Sequence, residues 1–266
     1  MSVQAMYTAA SGMDSMQTQL DVIANNLANM QTTAFKKARA NFEDLMYRQE
    51  KYPGAEDSAG QFTPTGIALG MGSRVASTQT DFTQGTFNNT GGQLDVAIQG
   101  TGFFQITDPS GTTLYTRAGN FSKNANGNLV VGSATAGRLI SPAITIPPDA
   151  INIVISPEGI VSVQQPSNQQ LSQIGKIELA NFINPEGLLK LGSNLYQQTD
   201  SSGSPTLANP GQNGLGLLQQ GALEQSNVDP VQSMIDMITA QRAFEMNSNA
   251  IKTGDQVLQD VTQLIR

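Results

Sequence analysis

Between Met6 and Met30 the apolar residues fall alternately three and four apart: Met6, Ala9, Met13, Met16, Leu20, Ile23, Leu27 and Met30. A mean spacing of 3.5 residues keeps one narrow stripe on one side of an α-helix, and that stripe must be covered by another helix. The pattern predicts a helix of about 27 residues, about 40 Å long at 1.5 Å per residue. It also obliges the rest of the chain, or another copy of it, to supply a partner. Nothing else in the sequence narrows the possible folds as much.

A second stripe lies at the opposite end. Asp229-Pro230-Val231-Gln232 reads as a helix start: a carboxylate N-cap, a proline at the first helical position and a glutamine placed to close a capping box. Met237, Phe244, Ile251, Leu258 and Ile265 then recur every seventh residue, with Ala240, Asn247, Gly254 and Val261 three places after the first four. Asn247 and Gly254 interrupt this seam. They fit either an imperfect amphipathic helix or a register-setting seam, in which a polar residue fixes the partner at a cost in stability.

Between the ends the period changes from 3.5 to 2. Leu94 to Ile98 alternates, Phe103 to Ile106 leads into the turn Asp108-Pro109-Ser110-Gly111, and Thr112 to Thr116 returns. Asn126-Gly127 separates Phe121 from Leu129 to Val131, and Pro157-Glu158-Gly159 separates Ile151 to Ile155 from Ile160 to Val163, which predicts two more hairpins. The stretches from Tyr52 to Gly72 and from Thr199 to Gly216, rich in Pro, Gly, Ser and Thr, read as connectors between the helices and the β-rich body. The fold class that follows is α+β: long N- and C-terminal helices pairing as a coiled-coil-like domain, and an all-β middle. The expected divisions are 1–46 for the N-terminal helix and turn, 47–72 for an extended linker, 73–216 for the β-rich middle and 217–266 for the C-terminal helix. Because one seam leaves most of each helix wet, stable order is expected where helices of neighbouring subunits add cover.

Composition excludes several kinds of chemistry. With neither histidine nor cysteine, Ser-His-Asp catalysis, ordinary zinc sites and disulfides are out of reach. Neighbouring carboxylates such as Glu43-Asp44 and Glu56-Asp57 point apart on a helix or loop, so no enzyme is expected, and no cofactor or metal. Asn124 to Asn128 lacks the acidic ligands of a calcium loop, and Gly100-Thr101-Gly102 lacks the third glycine of a dinucleotide site. A net charge of −7 argues against nucleic acid as a partner. The one basic cluster, Lys36, Lys37 and Arg39, reads as a solvated face. Charged residues make up 13% of the chain, about half the usual quarter, which suits either a polar secreted protein or one that packs against its own copies. Asp14, Asp21, Asn25 and Asn26 break any run long enough for a signal or membrane segment, so membrane insertion is not expected, and the route out of the cell, if any, reads no cleaved signal. A β-rich glycan-binding module carried on helices is a further reading, which the lack of Trp and the presence of only five Tyr disfavour.

Three blocks carry a resemblance. Ala24-Asn25-Asn26-Leu27-Ala28-Asn29 followed by Thr32-Thr33 and Phe35-Lys36-Lys37 resembles the N-terminal signature of the flagellar rod and hook family. Gly85-Thr86-Phe87 through Leu94 to Phe104, extended by Tyr115 to Phe121, is similar to the opening of that family's β-rich domain. Gln220 to Asp229 and Gln241-Arg242-Ala243-Phe244-Glu245 are similar to its C-terminal signature. Within the family, the chain length and the segment from Phe42 to Ile67 are most similar to subunits of the distal rod, with a proximal-rod or hook-like axial subunit as the alternative.

The resemblance implies a structural subunit that polymerises helically into a rigid tube transmitting torque from motor to hook. It implies contacts with copies of itself, with hook and proximal-rod subunits and with the peptidoglycan and outer-membrane rings. It further implies export by the flagellar secretion apparatus and a place in the basal body, spanning the periplasm. The residues expected at subunit interfaces are Met13, Leu20, Ile23, Leu27, Phe244, Ile251 and Leu258 as hydrophobic contacts, and Asn25, Asn26, Asn29 and Gln241 as polar contacts that set register. The segment 47–66 corresponds to the insert expected to stiffen a rod relative to a hook. One departure stands out: Ala34 occupies a position where the family pattern has glycine, which leaves the conformation of that turn open.

Overall fold

The computed structural model describes residues 3–54, 65–132, 137–166 and 168–264. They form two compact units. One is assembled from Met1–Ala28, Ala38–Thr80 and Asp229–Arg266, the other from Asn29–Lys37 and Asp81–Val228. The architecture is α+β, with the terminal helices in contact and the β-rich middle separate from them.

The first unit contains α1 (Val3–Ala28), β1 (Ala38–Asp44), β2 (Tyr47–Lys51), β3 (Ile67–Gly70), β4 (Ser73–Thr80) and α2 (Pro230–Leu264). Its two helices are antiparallel, and the two residues that looked like flaws in the C-terminal seam set their register. A Cβ on Gly254 would stand 3.0 Å from Met6 Cγ, and a Cβ on Gly12 would stand 2.8 Å from Asn247 Nδ2. Each glycine is therefore the hole that receives a longer side chain from the facing helix. In this register Leu20 falls opposite Ala240 and Ile23 opposite Met237. With 35 residues, α2 is about 52 Å long.

The start of α2 follows its local chemistry. Asp229 Oδ1 accepts the N–H groups of Val231 (2.9 Å) and Gln232 (3.2 Å). Gln232 does not close the capping box; its amide reaches forward to Asp236 Oδ1 at 2.8 Å, one helical turn on. α1 stops two residues short of Met30, in a turn where Thr32 N–H donates to Asn29 O.

β1 pairs antiparallel with β4 and β2 with β3. Leu45 N–H to Gly72 O and Met71 N–H to Met46 O carry the pairing across the junction, so the four strands make one continuous ribbon. A two-stranded ribbon is marginal by itself. Its inner half is clipped to α1: Ser15 meets Ser73, and Asn26 both donates to Ala38 O (2.7 Å) and accepts Ala38 N–H (2.9 Å). Its outer half, β2 and β3, is exposed throughout. The linker expected over 47–72 thus carries a hairpin, while residues 55–64 lie outside the described residues.

Among the described residues the second unit is all β apart from one short 3₁₀ turn. Its strands are β5 (Phe87–Asn89), β6 (Val96–Gln99), β7 (Phe103–Thr107), β8 (Thr113–Thr116), β9 (Phe121–Lys123), β10 (Leu129–Val131), β11 (Leu139–Ile140), β12 (Asn152–Ile155), β13 (Ile160–Gln165), β14 (Asn168–Lys176), β15 (Leu179–Asn181), β16 (Leu189–Gly192), β17 (Leu195–Gln197), β18 (Thr206–Ala208), β19 (Leu217–Gln220) and β20 (Ala222–Glu224). The main sheet runs β16-β17-β8-β7-β11-β10-β9, with β15 also on β7 and β18 on β15. The three predicted hairpins are present as β7–β8, β9–β10 and β12–β13.

Adjacent residues of a strand face opposite ways, so Phe103 and Phe104 bury two separate clusters. Phe104 packs with Ile106, Phe121, Leu129, Ile144, Val161 and Leu179. Phe103 joins Tyr115, Phe182, Leu188 and Tyr196, with Phe82 against them. The expected connector 199–216 belongs to this unit instead. Positive φ at Gly203, Gly211, Asn213 and Gly214 folds it back on itself, β18 pairs with β15, and Leu215 enters the core. β19 and β20 then intervene before α2.

Candidate assembly surfaces

Each residue placed at an interface by the sequence can now be located. Ile23 is buried, and Met13, Leu20, Leu27, Phe244, Ile251 and Leu258 are half-buried. These residues belong to the stripes that α1 and α2 turn toward each other, so the seam is occupied within one chain. Asn26 is buried and committed to Ala38, which makes it the clip between α1 and β1. Asn29 is half-buried and accepts from Thr32 Oγ1, while Asn25 and Gln241 are exposed.

The apolar surface that remains open was missed. Val231, Met234, Ile235 and Ile238 follow the i, i+3, i+4, i+7 spacing of a helix face, on the side of α2 turned away from α1. Their exposures run from 51% to 68%. The spacing is visible directly after the N-cap, but the sevenfold stripe beside it drew the reading. The outer ribbon adds Met46, Tyr47, Ile67, Leu69 and Met71, all exposed. Among the described residues no helix is long and apolar enough to cross a membrane. No group of three or more Asp or Glu among them could hold a metal.

The second unit contains an arrangement that the charge pattern concealed. Lys36, expected on a solvated face, is completely buried. Its Nζ lies 2.6 Å from Glu224 Oε1 and donates to Thr83 O at 2.7 Å. Gly85 N–H donates to the same Oε1 at 3.1 Å. On the other side of the carboxylate stands Arg117, its Nε 3.7 Å from Glu224 Oε2 and its Nη1 bonded to the carbonyls of Gly100 and Gly102. Burial presses the Lys36 ammonium below its ordinary value, opposed by the charge of Glu224, and burial lowers Arg117 in the same way.

The short arm carrying Lys36 is tied down along its length. Ala34 N–H donates to Glu224 O (2.8 Å), Asn194 Nδ2 donates to Thr33 O (2.8 Å), and Lys190 sits over the Phe35 ring. Ala34 itself is buried with φ +55°, so the turn keeps the left-handed conformation that glycine would favour. The strain of about 1 kcal/mol is largely offset by the buried methyl, worth about 0.8 kcal/mol. Ala34→Gly is therefore expected to change stability by less than about 1 kcal/mol. Ala34→Val, which has neither room nor access to that region, should cost about 2–4 kcal/mol in urea unfolding. A valine variant as stable as the parent would mean that the arm is not held as described.

Three family models match, and their ranges meet at this buried cluster. The flagella basal body rod protein model covers residues 6–36 and ends at Lys36. The flagellar hook protein FlgE/F/G D1 domain covers 97–163 and includes Arg117. The flagellar basal body rod FlgEFG protein C-terminal model covers 219–264 and includes Glu224. Along the whole chain, the flagellar basal-body rod protein FlgG of Caulobacter vibrioides is 47% identical over 98% of this chain and 99% of its own length. The chain belongs to the FlgG family. The FlgG proteins of Buchnera aphidicola subsp. Baizongia pistaciae and of Bacillus subtilis are 44% and 39% identical, covering 98% and 99% of this chain and 100% of their own lengths. FlgG is a structural flagellar rod protein rather than an enzyme, and membership places this chain in the basal body.

Proposed function

We propose that this chain is the subunit of the distal rod, polymerising helically into a rigid tubular shaft that passes torque from motor to hook. The observation that carries the reading is the second apolar face of α2. A helix already paired through one stripe, yet exposing Val231, Met234, Ile235 and Ile238 on the other, needs a further helix to cover it. A neighbouring copy supplies one, and helical repetition then covers every such face except at the ends of the polymer. Hook and proximal-rod subunits would occupy those ends, and the peptidoglycan and outer-membrane ring proteins would surround the shaft in the periplasm. The flagellar export apparatus would deliver the subunit there.

Electron microscopy of the purified protein over a concentration series, with circular dichroism alongside, tests the proposal. Straight tubes that appear as concentration rises are expected, with helix content rising as they form. A protein that stays monomeric and fully helical at every concentration would overturn it.

The outer ribbon is the stiffening element of this scheme: Tyr47, Ile67 and Leu69 are exposed on it and would bridge copies. Deleting residues 47–66 is expected to give curved tubes in place of straight ones. Tubes of unchanged straightness and length would remove the ribbon from the mechanism.

A further inference from the structure

Asn227 stands where the β-rich unit releases the chain. That unit consists of Asn29–Lys37 and Asp81–Val228, so the backbone leaves it after Lys37, before Asp81 and after Val228, besides the passage before Asn29. The side chain of Asn227 engages the first two of these exits and sits beside the third. Its Oδ1 accepts Lys37 N–H at 2.8 Å. Its Nδ2 donates to Asp81 O at 2.9 Å and also faces Thr83, with Oγ1 at 3.0 Å and the carbonyl at 3.2 Å.

The ring is closed without Asn227 as well. Asp81 N–H donates to Lys37 O at 2.9 Å, and Lys37 Nζ lies 3.5 Å from Asp81 Oδ2. The backbone N–H of Asn227 is directed at Phe35 O at 3.4 Å. An asparagine suits this place for a chemical reason. It offers an acceptor and two donor hydrogens from one short planar group, whereas aspartate has no donor and serine cannot span both neighbours.

We propose that Asn227 is a positioning residue that fixes three chain exits of the β-rich unit, after Lys37, before Asp81 and after Val228, at one point. If the distal-rod reading holds, the joint through which torque enters and leaves that unit is set by this amide. The exit-fixing role itself is independent of assembly and is measured on the dilute full-length protein.

Hydrogen exchange followed residue by residue in Asn227→Ala provides the test. The Lys37 amide, which loses its acceptor, is expected to exchange about tenfold faster than in the parent, and the carbonyl carbon of Asp81, which loses its donor, to shift in its NMR resonance, while the amides of Ile106 and Val130 in the sheet stay unchanged. Asn227→Asp keeps the acceptor and removes the donors. In that variant the Lys37 amide is expected to keep its protection while the carbonyl carbon resonance of Asp81, which has lost its donor, shifts as in the alanine variant, a separation that general loosening of the unit would not produce. The proposal is overturned if in Asn227→Ala the Lys37 amide exchanges and the Asp81 carbonyl resonates as in the parent, or if the sheet amides accelerate by the same factor as Lys37. Loss of Lys37 protection in Asn227→Asp, or an Asp81 carbonyl resonance unchanged from the parent, also overturns it, and this variant, close in shape to the parent, decides the matter if the alanine protein does not fold.

Discussion

Replacing Glu224 by glutamine is expected to cost the β-rich unit about 3–5 kcal/mol and to lower its melting temperature by on the order of 10 °C. The carboxylate lies between two buried cations, Lys36 at 2.6 Å and Arg117 at 3.7 Å, and also accepts Gly85 N–H. An amide in its place leaves both cations without a counter-charge. Its NH2 would also oppose either the Lys36 ammonium and the Gly85 N–H, which share Oε1, or the Arg117 Nε that faces Oε2, whichever way it turned. Lys36→Met should be milder, because Glu224 keeps Arg117 as its partner. The double variant should then cost clearly less than the two single changes together, since removing a buried pair as a whole is far cheaper than breaking it. Urea and thermal unfolding of the three variants give the comparison. A Glu224→Gln protein within 1 kcal/mol of the parent would mean that the cluster contributes little.

The second large effect separates the two faces of α2. Ile238→Glu places a carboxylate on the open stripe, where the isolated chain tolerates it because the position is 57% exposed. In a polymer the same carboxylate would be buried without a partner. Losing an isoleucine contact worth about 1.5–3 kcal/mol, with the desolvation penalty added, should raise the concentration needed for assembly on the order of a thousandfold. Helix content of the dilute protein should not change. Leu20→Glu, on the inner stripe, should abolish assembly by another route, by unpairing α1 from α2 while the β-rich unit stays folded. Circular dichroism distinguishes the two and sedimentation reads assembly. Normal tubes from either variant would remove that face from the interface.

How much of this was legible in the sequence depended on the range of the interaction responsible. The hairpins at Asp108–Gly111, Asn126-Gly127 and Pro157–Gly159 could be read because turn chemistry is written within a few residues. The seams of α1 and α2 could be read because their period is local, although their antiparallel register needed Gly12 and Gly254 to be recognised as holes. Lys36 was misread for the converse reason. Three basic residues within four positions look solvated, and the carboxylate that buries the first of them is 188 residues away. The stretch 199–216 looked like a linker because glycines at positive φ punctuate tight folds and loose linkers alike. Asn26 was read as a polar contact between subunits, because its actual partner, the backbone of Ala38, has no side-chain signature. The open stripe of α2 was within reach and was overlooked, since one helix was assumed to carry one apolar face.

The order in which the two units can be completed follows from their discontinuity. α1 has its seam partner more than 200 positions downstream, in α2 (Pro230–Leu264). The arm that follows α1 waits for Glu224 and Asn227. During synthesis the first helix therefore stands without its apolar cover until nearly the whole chain exists, and the helical unit closes last, by a long-range docking step whose entropy cost grows with the logarithm of the loop it shuts. The hairpins β7–β8, β9–β10 and β12–β13 pair with near neighbours and can form long before. Refolding should accordingly show two phases, an early one in sheet amides such as Ile106 and Val130 and a late one in α1. Pulse-labelled hydrogen exchange would reveal the order, and simultaneous protection of both sets would show that the chain closes in a single step.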